Sequence, residues 1–290
     1  HTLNGRVAHK FNEASSVDVS DAYIISKNPQ SLLAGVPLNT DQSFKRNEFN
    51  ARYTTEARQK LAVTLKYRNA DVAYDTASLA TQLDRMEQIA GVEASFAYLP
   101  ETKLVGEYRY QDIAYDTAGT LKDKTSNFFL GGVDYSPGKQ LRVSGRAGFE
   151  QRNRESQPDT TAPYAELSTR YSYGESSFVA GGYTYTLEEP SDVVRFNDTK
   201  VNRFFVNVQH QLSALVTASG SFTYEPSTLV GRRGVASIDE ETFRVGVGLT
   251  WAPRPNLSVS GTYDLDRVDS DDGSRNQERN RFGVSARVTF

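Results

Sequence analysis

The chain offers little for covalent chemistry. Cys is absent, which removes thiol nucleophiles, thiolate metal sites and disulfides together. The histidines are His1, His9 and His210, and a Ser–His–Asp arrangement needs one of them beside a nucleophile. The alternation described below instead puts His9 and His210 on an apolar face, near strand ends. No phosphate-cradling glycine loop, dinucleotide fingerprint or HExxH occurs. Residues 269–278 (DSDDGSRNQE) look superficially like a calcium loop. With Gly273 as the sixth position, however, Val268 falls first and Ser270 third, where acids are required. A solvated acidic loop is what remains. We expect no metal site, no cofactor and no enzyme.

What the residues do offer is charge in a pattern. The 33 basic and 36 acidic residues give a net charge of −3, too balanced to call for nucleic acid. When alternate residues are collected, one parity gathers Arg52, Arg68, Arg109, Arg142, Arg146, Arg170, Arg244 and Arg287. The same parity holds Glu107, Glu150, Glu166 and Asp264. Paired carboxylates can do acid–base work, but in sequence they look the same as ionic lining. So many charges of both signs cannot be buried dry at reasonable cost. They require either a water-filled space or a dense ion-pair network, and a slight excess of bases hints at anion preference.

The elements that position these charges are written in period two. Residues 141–150 (LRVSGRAGFE) set Leu141, Val143, Ala147 and Phe149 against Arg142, Ser144, Arg146 and Glu150. Residues 242–251 and 281–290 repeat the alternation, and none of the three has the apolar spacing of a helix. About 14 such segments can be placed: 2–11, 44–54, 60–74, 89–99, 102–115, 126–136, 139–153, 163–173, 177–188, 201–212, 214–225, 241–252, 256–268 and 279–290. More than half the chain is then strand, against about 20–25% in ordinary globular domains. The connections alternate too, short near 54–59, 100–101, 137–138, 174–176, 213 and 253–255, and long at 12–43, 75–88, 116–125, 154–162, 189–200, 226–240 and 269–278.

Aromatic residues make up 11% of the chain, with 16 Tyr, 15 Phe and 1 Trp. On the apolar parity, Tyr53, Tyr98, Tyr135, Tyr171, Tyr173, Trp251 and Phe290 stand near the tight turns. Phe11, Tyr67, Tyr110, Phe149, Tyr185, Tyr224 and Tyr263 stand near the long connections. Two rows of amphipathic rings suit the two interfaces of a membrane. No apolar run approaches the ~18 residues of a membrane helix. A mean hydropathy of −0.55 is still compatible with spanning strands, which show lipid only alternate residues.

The terminal strand, with Phe282, Val284, Ala286 and Val288 alternating before a final Phe290, resembles the C-terminal signature of Gram-negative outer-membrane β-barrels. In size and strand count the chain looks like a monomeric porin or one of the putative β-barrel porins. The resemblance implies an all-β fold: a transmembrane antiparallel up-and-down β-barrel of about 14 strands, forming one domain over 1–290. Short turns and both termini would be periplasmic and the long loops extracellular. It implies outer-membrane location, contact with lipid and lipopolysaccharide, and recognition of the Phe290 strand by the barrel-assembly machinery. It further implies passive or weakly selective diffusion of small hydrophilic solutes. The alternatives are a loop-closed barrel that binds surface partners, and a route for saccharides. His1 in place of Met leads us to expect that a leader or other upstream segment has been removed.

Two connections read as more than loop. The first, 12–43, contains Ala22–Ile25 and Ser31–Leu38, more apolar than a free loop, and either folds into the lumen, packs over the mouth or forms an extra short hairpin. Residues 76–88 place Leu79, Leu83 and Met86 at helical spacing behind Asp75 or Thr76 as N-cap, which predicts a short structural helix.

Overall fold

In the computed structural model, residues 2–26, 43–117, 122–154, 157–188, 190, 195–232 and 234–288 are described. Fifteen strands run through them: β1 (Thr2–Lys10), β2 (Ser15–Ser26), β3 (Phe44–Arg58), β4 (Leu61–Tyr74), β5 (Arg85–Leu99), β6 (Thr102–Tyr115), β7 (Lys124–Tyr135) and β8 (Leu141–Arg154), then β9 (Gln157–Ser172), β10 (Phe178–Glu188), β11 (Phe196–Gln211), β12 (Val216–Gly231), β13 (Ile238–Arg254), β14 (Leu257–Ser270) and β15 (Gln277–Val288). They hydrogen-bond in sequence order, antiparallel and up-and-down, in one sheet.

The count exceeds the expected 14 by one, and the difference lies in the supposed first loop. Residues 15–26 of the 12–43 connection form β2, paired with β1 from Thr2↔Ile24 to Lys10↔Ser16. A tight turn makes the hairpin: the Phe11 amide donates to the Ser15 carbonyl at 3.0 Å, and the Asn12 side chain accepts from the Ala14 amide at 2.9 Å. Asp21 stands on the same parity as Val17, Val19 and Tyr23, and that single charge masked the alternation. Phe11 therefore lies at a tight turn rather than beside a long connection. For residues 15–26 the outcome is the extra hairpin, not a segment folded into a lumen or packed over its mouth; the rest of the connection, 27–42, lies outside the described residues. Likewise β8 and β9 extend to Arg154 and from Gln157, shortening the connection expected at 154–162.

Contacts divide the chain into two units, His1–Asp134 with Arg146–Tyr164, and Tyr135–Gly145 with Ala165–Phe290. In the first, tight turns join β1 to β2, β3 to β4 and β5 to β6, and the two-residue turn Gln59–Lys60 holds Lys60 at a φ of 69°. Thr2 lies opposite Ile24, hence at the end of the long connections, not at the tight-turn end where both termini were expected. In the second unit, Val288 lies opposite Leu257, at the tight-turn end.

The predicted helix exists as α1 (Ala77–Leu83), with Leu79 and Leu83 buried against Tyr74. Thr76 is its N-cap by position, without a side-chain cap bond. Met86 belongs to β5 instead and is exposed. No helix among the described residues is long and apolar enough to cross a membrane. Among the described residues, buried apolar side chains are few and form only small clusters, such as Phe196, Leu229 and Ile238 with Val235 in the second unit. Many large apolar side chains, from Leu65 and Phe96 to Val247, Leu249 and Phe282, are instead exposed. A water-soluble domain does not leave so much apolar surface uncovered.

Candidate functional site

Because successive strand residues point to opposite faces, the register sorts every expected site residue. In the first unit Arg52 stands opposite Asp18 and Lys66, Lys66 opposite Gly91, and Gly91 opposite Arg109. All share the polar face. Arg68 lies two residues beyond Lys66 on the same strand and face.

A connected ion network covers that face. Lys66 Nζ donates to Glu93 Oε2 at 2.7 Å and to Glu107 Oε1 at 3.0 Å. Arg109 grips Glu107 bidentately, Nε–Oε1 at 2.8 Å and Nη2–Oε2 at 3.1 Å, and its Nη1 lies 3.4 Å from the Tyr164 hydroxyl. Arg146 does the same to Asp134, at 2.8 and 3.1 Å, and reaches Glu93 at 3.6 Å. Deeper still, Glu150 is 1% exposed and accepts from Ser126 Oγ at 2.7 Å and Arg152 Nε at 2.8 Å. Bidentate, charge-assisted bonds of this kind are the ones strong enough to offset desolvation. Sequence reasoning named Glu150 but not Arg152, whose parity carried the only available signal.

The second unit repeats the arrangement with other residues. Arg244 faces Asp266 across β13 and β14, and Asp264 faces Arg281 across β14 and β15. Asp266 is nearly buried and receives Arg279 at 2.7 Å and Arg281 at 3.3 Å. Arg203 joins Glu225 at 2.6 Å to Glu188 at 2.8 Å. Arg170 lies opposite Ala180, its guanidinium 3.5 Å above the Phe178 ring, and Glu166 lies opposite Thr184. Arg142 is exposed near the start of β8. Arg287 lines a small cavity at the tight-turn end with Arg254 and Leu257. Among the described residues, no group of three or more potential ligands is placed to hold a metal ion.

The opposite face carries the aromatics. Tyr98 lies one residue before the end of β5, Tyr135 is the last residue of β7, and Tyr171 lies next to the last of β9. Tyr173 follows directly, stacked on His210 with its hydroxyl 3.0 Å from Nδ1. Tyr53 and Trp251 stand further into β3 and β13, both exposed. Phe290 lies outside the described residues. On β13 this face reads Phe243, Val245, Val247, Leu249, Trp251, preceded by Asp239 and Glu241. Eight residue steps from Phe243 to Trp251 span about 26 Å, close to the ~25 Å apolar band of a membrane strand.

A recurring pair marks the long-connection side of that band. Tyr108 donates to Asn127 at 2.7 Å, Tyr183 to Asn202 at 2.8 Å and Tyr263 to Asn280 at 2.6 Å. Each hydroxyl is satisfied within the sheet, as hydrocarbon requires. These asparagines were not singled out from sequence, although an Asn on the apolar parity was the legible signal.

An apolar band with aromatic borders, a charged opposite face and antiparallel up-and-down strands define an integral β-barrel of the outer membrane of Gram-negative bacteria. The family model described as Putative beta-barrel porin 2 matches residues 2–290, and the chain belongs to that family. No curated protein matches it. Among solved structures it is similar to the copper transporter OprC, with a TM-score of 0.54 at 12% identity over 98% of this chain and 57% of that one. It is also similar to the FrpB iron transporter from Neisseria meningitidis (F3-3 variant), with a TM-score of 0.53 at 8% identity over 95% and 54%. The chain thus spans a little over half the length of these structures, and at such identities the likeness is one of fold.

Proposed function

We propose that the chain is an outer-membrane channel through which small hydrophilic solutes diffuse passively or with weak selectivity. In this reading residues 1–290 act as one barrel domain, with lipid and lipopolysaccharide against the apolar face. The barrel-assembly machinery engages the strand that ends in Phe290. The observation that carries the reading is the sorting of charge: Arg52, Lys66, Arg109, Arg146, Glu107 and Glu150 share one face, and exposed aromatic and aliphatic side chains fill the other. Charges of both signs keep a lumen wet, and their summed field selects among ions. In this reading the chain carries out no catalysis.

A second reading has its own support. Glu150 and Arg152 are 1% and 2% exposed, so part of the polar face is filled by ion pairs rather than water. A barrel closed in this way would serve as a structural or surface-binding element. Planar-bilayer recording of the refolded chain decides between the two. Stable conductance steps are the expected result, with a reversal potential in a KCl gradient displaced toward chloride. Silence from correctly folded protein would remove the channel reading in favour of the closed barrel.

A further inference from the structure

We propose that the polar face of the first unit holds a binding site for a small dianionic oxyanion, seated on Arg52 and Arg68. The site rests on the reading above, in which this face meets water. A cavity of about 530 Å³ opens there, within the size range of small-molecule sites. One register row supplies Asp18, Arg52, Lys66, Gly91 and Arg109, and the adjacent row supplies Arg6, Ser20, Asn50 and Arg68. The lining thereby contains the cations Arg6, Arg52, Lys66, Arg68 and Arg109 against only two carboxylates, Asp18 and Glu107.

Both carboxylates are already engaged. Arg6 grips Asp18 through Nε at 3.0 Å and again through Nη2, while Glu107 is shared by Lys66 and Arg109. Arg52 makes no hydrogen bond or ion pair among the described residues. Arg68 comes only within 3.5 Å of Glu48 and Glu87, and its buried Nε has no partner. Glu48 is itself held by Arg46. Two under-used arginines thus stand diagonally on adjacent strands, their backbone positions about 7–8 Å apart, and both line the cavity, so their long side chains can converge on one oxyanion. The row stays open because Gly91 has no side chain between Lys66 and Arg109; a Cβ there would stand 3.2 Å from the Tyr108 carbonyl oxygen and 3.5 Å from Arg109 Cγ. Phosphate, a phosphate monoester or a short dicarboxylate has the required charge and acceptor geometry.

Isothermal titration of the full chain in detergent, with inorganic phosphate and separately with succinate, tests the site. At least one of the two should bind saturably at about one per chain, more weakly as salt rises. Arg52→Gln should weaken binding about tenfold, the loss of one charge-assisted bond. Arg52 makes no hydrogen bond or ion pair among the described residues and acts on Asp18 only through its charge, while Arg6 keeps that carboxylate gripped, so this variant keeps the fold. Arg267→Gln, on the opposite face, should bind as the parent does. Absence of saturable binding for both anions, or parent-like binding by Arg52→Gln, overturns the site. The readout does not depend on current: binding without conductance removes the channel and leaves the site, and conductance without binding does the reverse.

Discussion

Glu93 and Glu107 face each other directly across β5 and β6, and the Lys66 ammonium bridges them at 2.7 and 3.0 Å. Two like charges in register destabilise a sheet, so the pair persists only because three cations attend it. Lys66 contacts both acids, Arg109 holds Glu107 and Arg146 approaches Glu93. The acids, in turn, keep those cations spaced along the face.

Lys66→Met should therefore cost about 2–3 kcal/mol, below the usual figure for a broken buried pair because Lys66 is partly solvated. Glu93→Gln in the same background should restore much of the loss by removing one of the opposed charges. Urea unfolding in lipid vesicles measures both. An equal deficit in the single and double variants would show that the bridge is not the cause.

Trp251 is the sole tryptophan and is half exposed on the apolar face of β13, so its fluorescence reports one depth. Lipids spin-labelled near the headgroup should quench it more than lipids labelled near the bilayer centre, and aqueous iodide should quench it weakly. Strong quenching by iodide would place the ring in water and contradict the interfacial assignment.

Gly148 is a place where two strands approach too closely for a side chain. A Cβ there would collide with the carbonyl of Phe129 on β7. Gly148→Ala must push the backbones apart, and we expect a loss of about 1–3 kcal/mol, read as a lower thermal midpoint. Gly106→Ala, where nothing lies within 4 Å of the added carbon, should leave the midpoint nearly unchanged.

Asp272 lies outside the strands, at the start of the turn Gly273–Arg275. Its carboxylate accepts from the Ser274 hydroxyl at 2.6 Å and the Ser274 amide at 3.2 Å. These bonds, the hydroxyl's foremost, with Arg195 and Arg275 nearby, hold its pKa below the ordinary 3.8. A lowered folded-state pKa contributes stability above the unfolded value and loses it as pH falls through the folded one. The turn should thus stay capped from neutral pH down to 3.8 and loosen only below it. The Ser274 amide resonance followed against pH measures this, and Asp272→Asn should abolish the titration.

The parity of the candidate site is legible in the order of residues. Arg52, Arg109, Arg146, Glu107 and Glu150 fall on the polar face because side-chain direction in a strand follows sequence number alone. β2 was legible only as one of three readings of 12–43, the extra hairpin, since Asp21 interrupts an apolar parity that only pairing with β1 and β3 enforces. Met86 shows the same limit from the other side: helical spacing linked it to Leu83, but pairing with Asp71 and Ala114 drew it into a strand.

By itself, the amino-acid sequence determined the strand class, the two faces and the membrane as solvent, because each is a local consequence of period two and of which side chains tolerate hydrocarbon. Only the tertiary structure decided which charges meet. The partners of Glu107 come from β4 and β6, and the cations framing the first-unit cavity come from four strands. Register sets such neighbours, and register is a property of strands laid side by side, which no stretch of sequence contains alone.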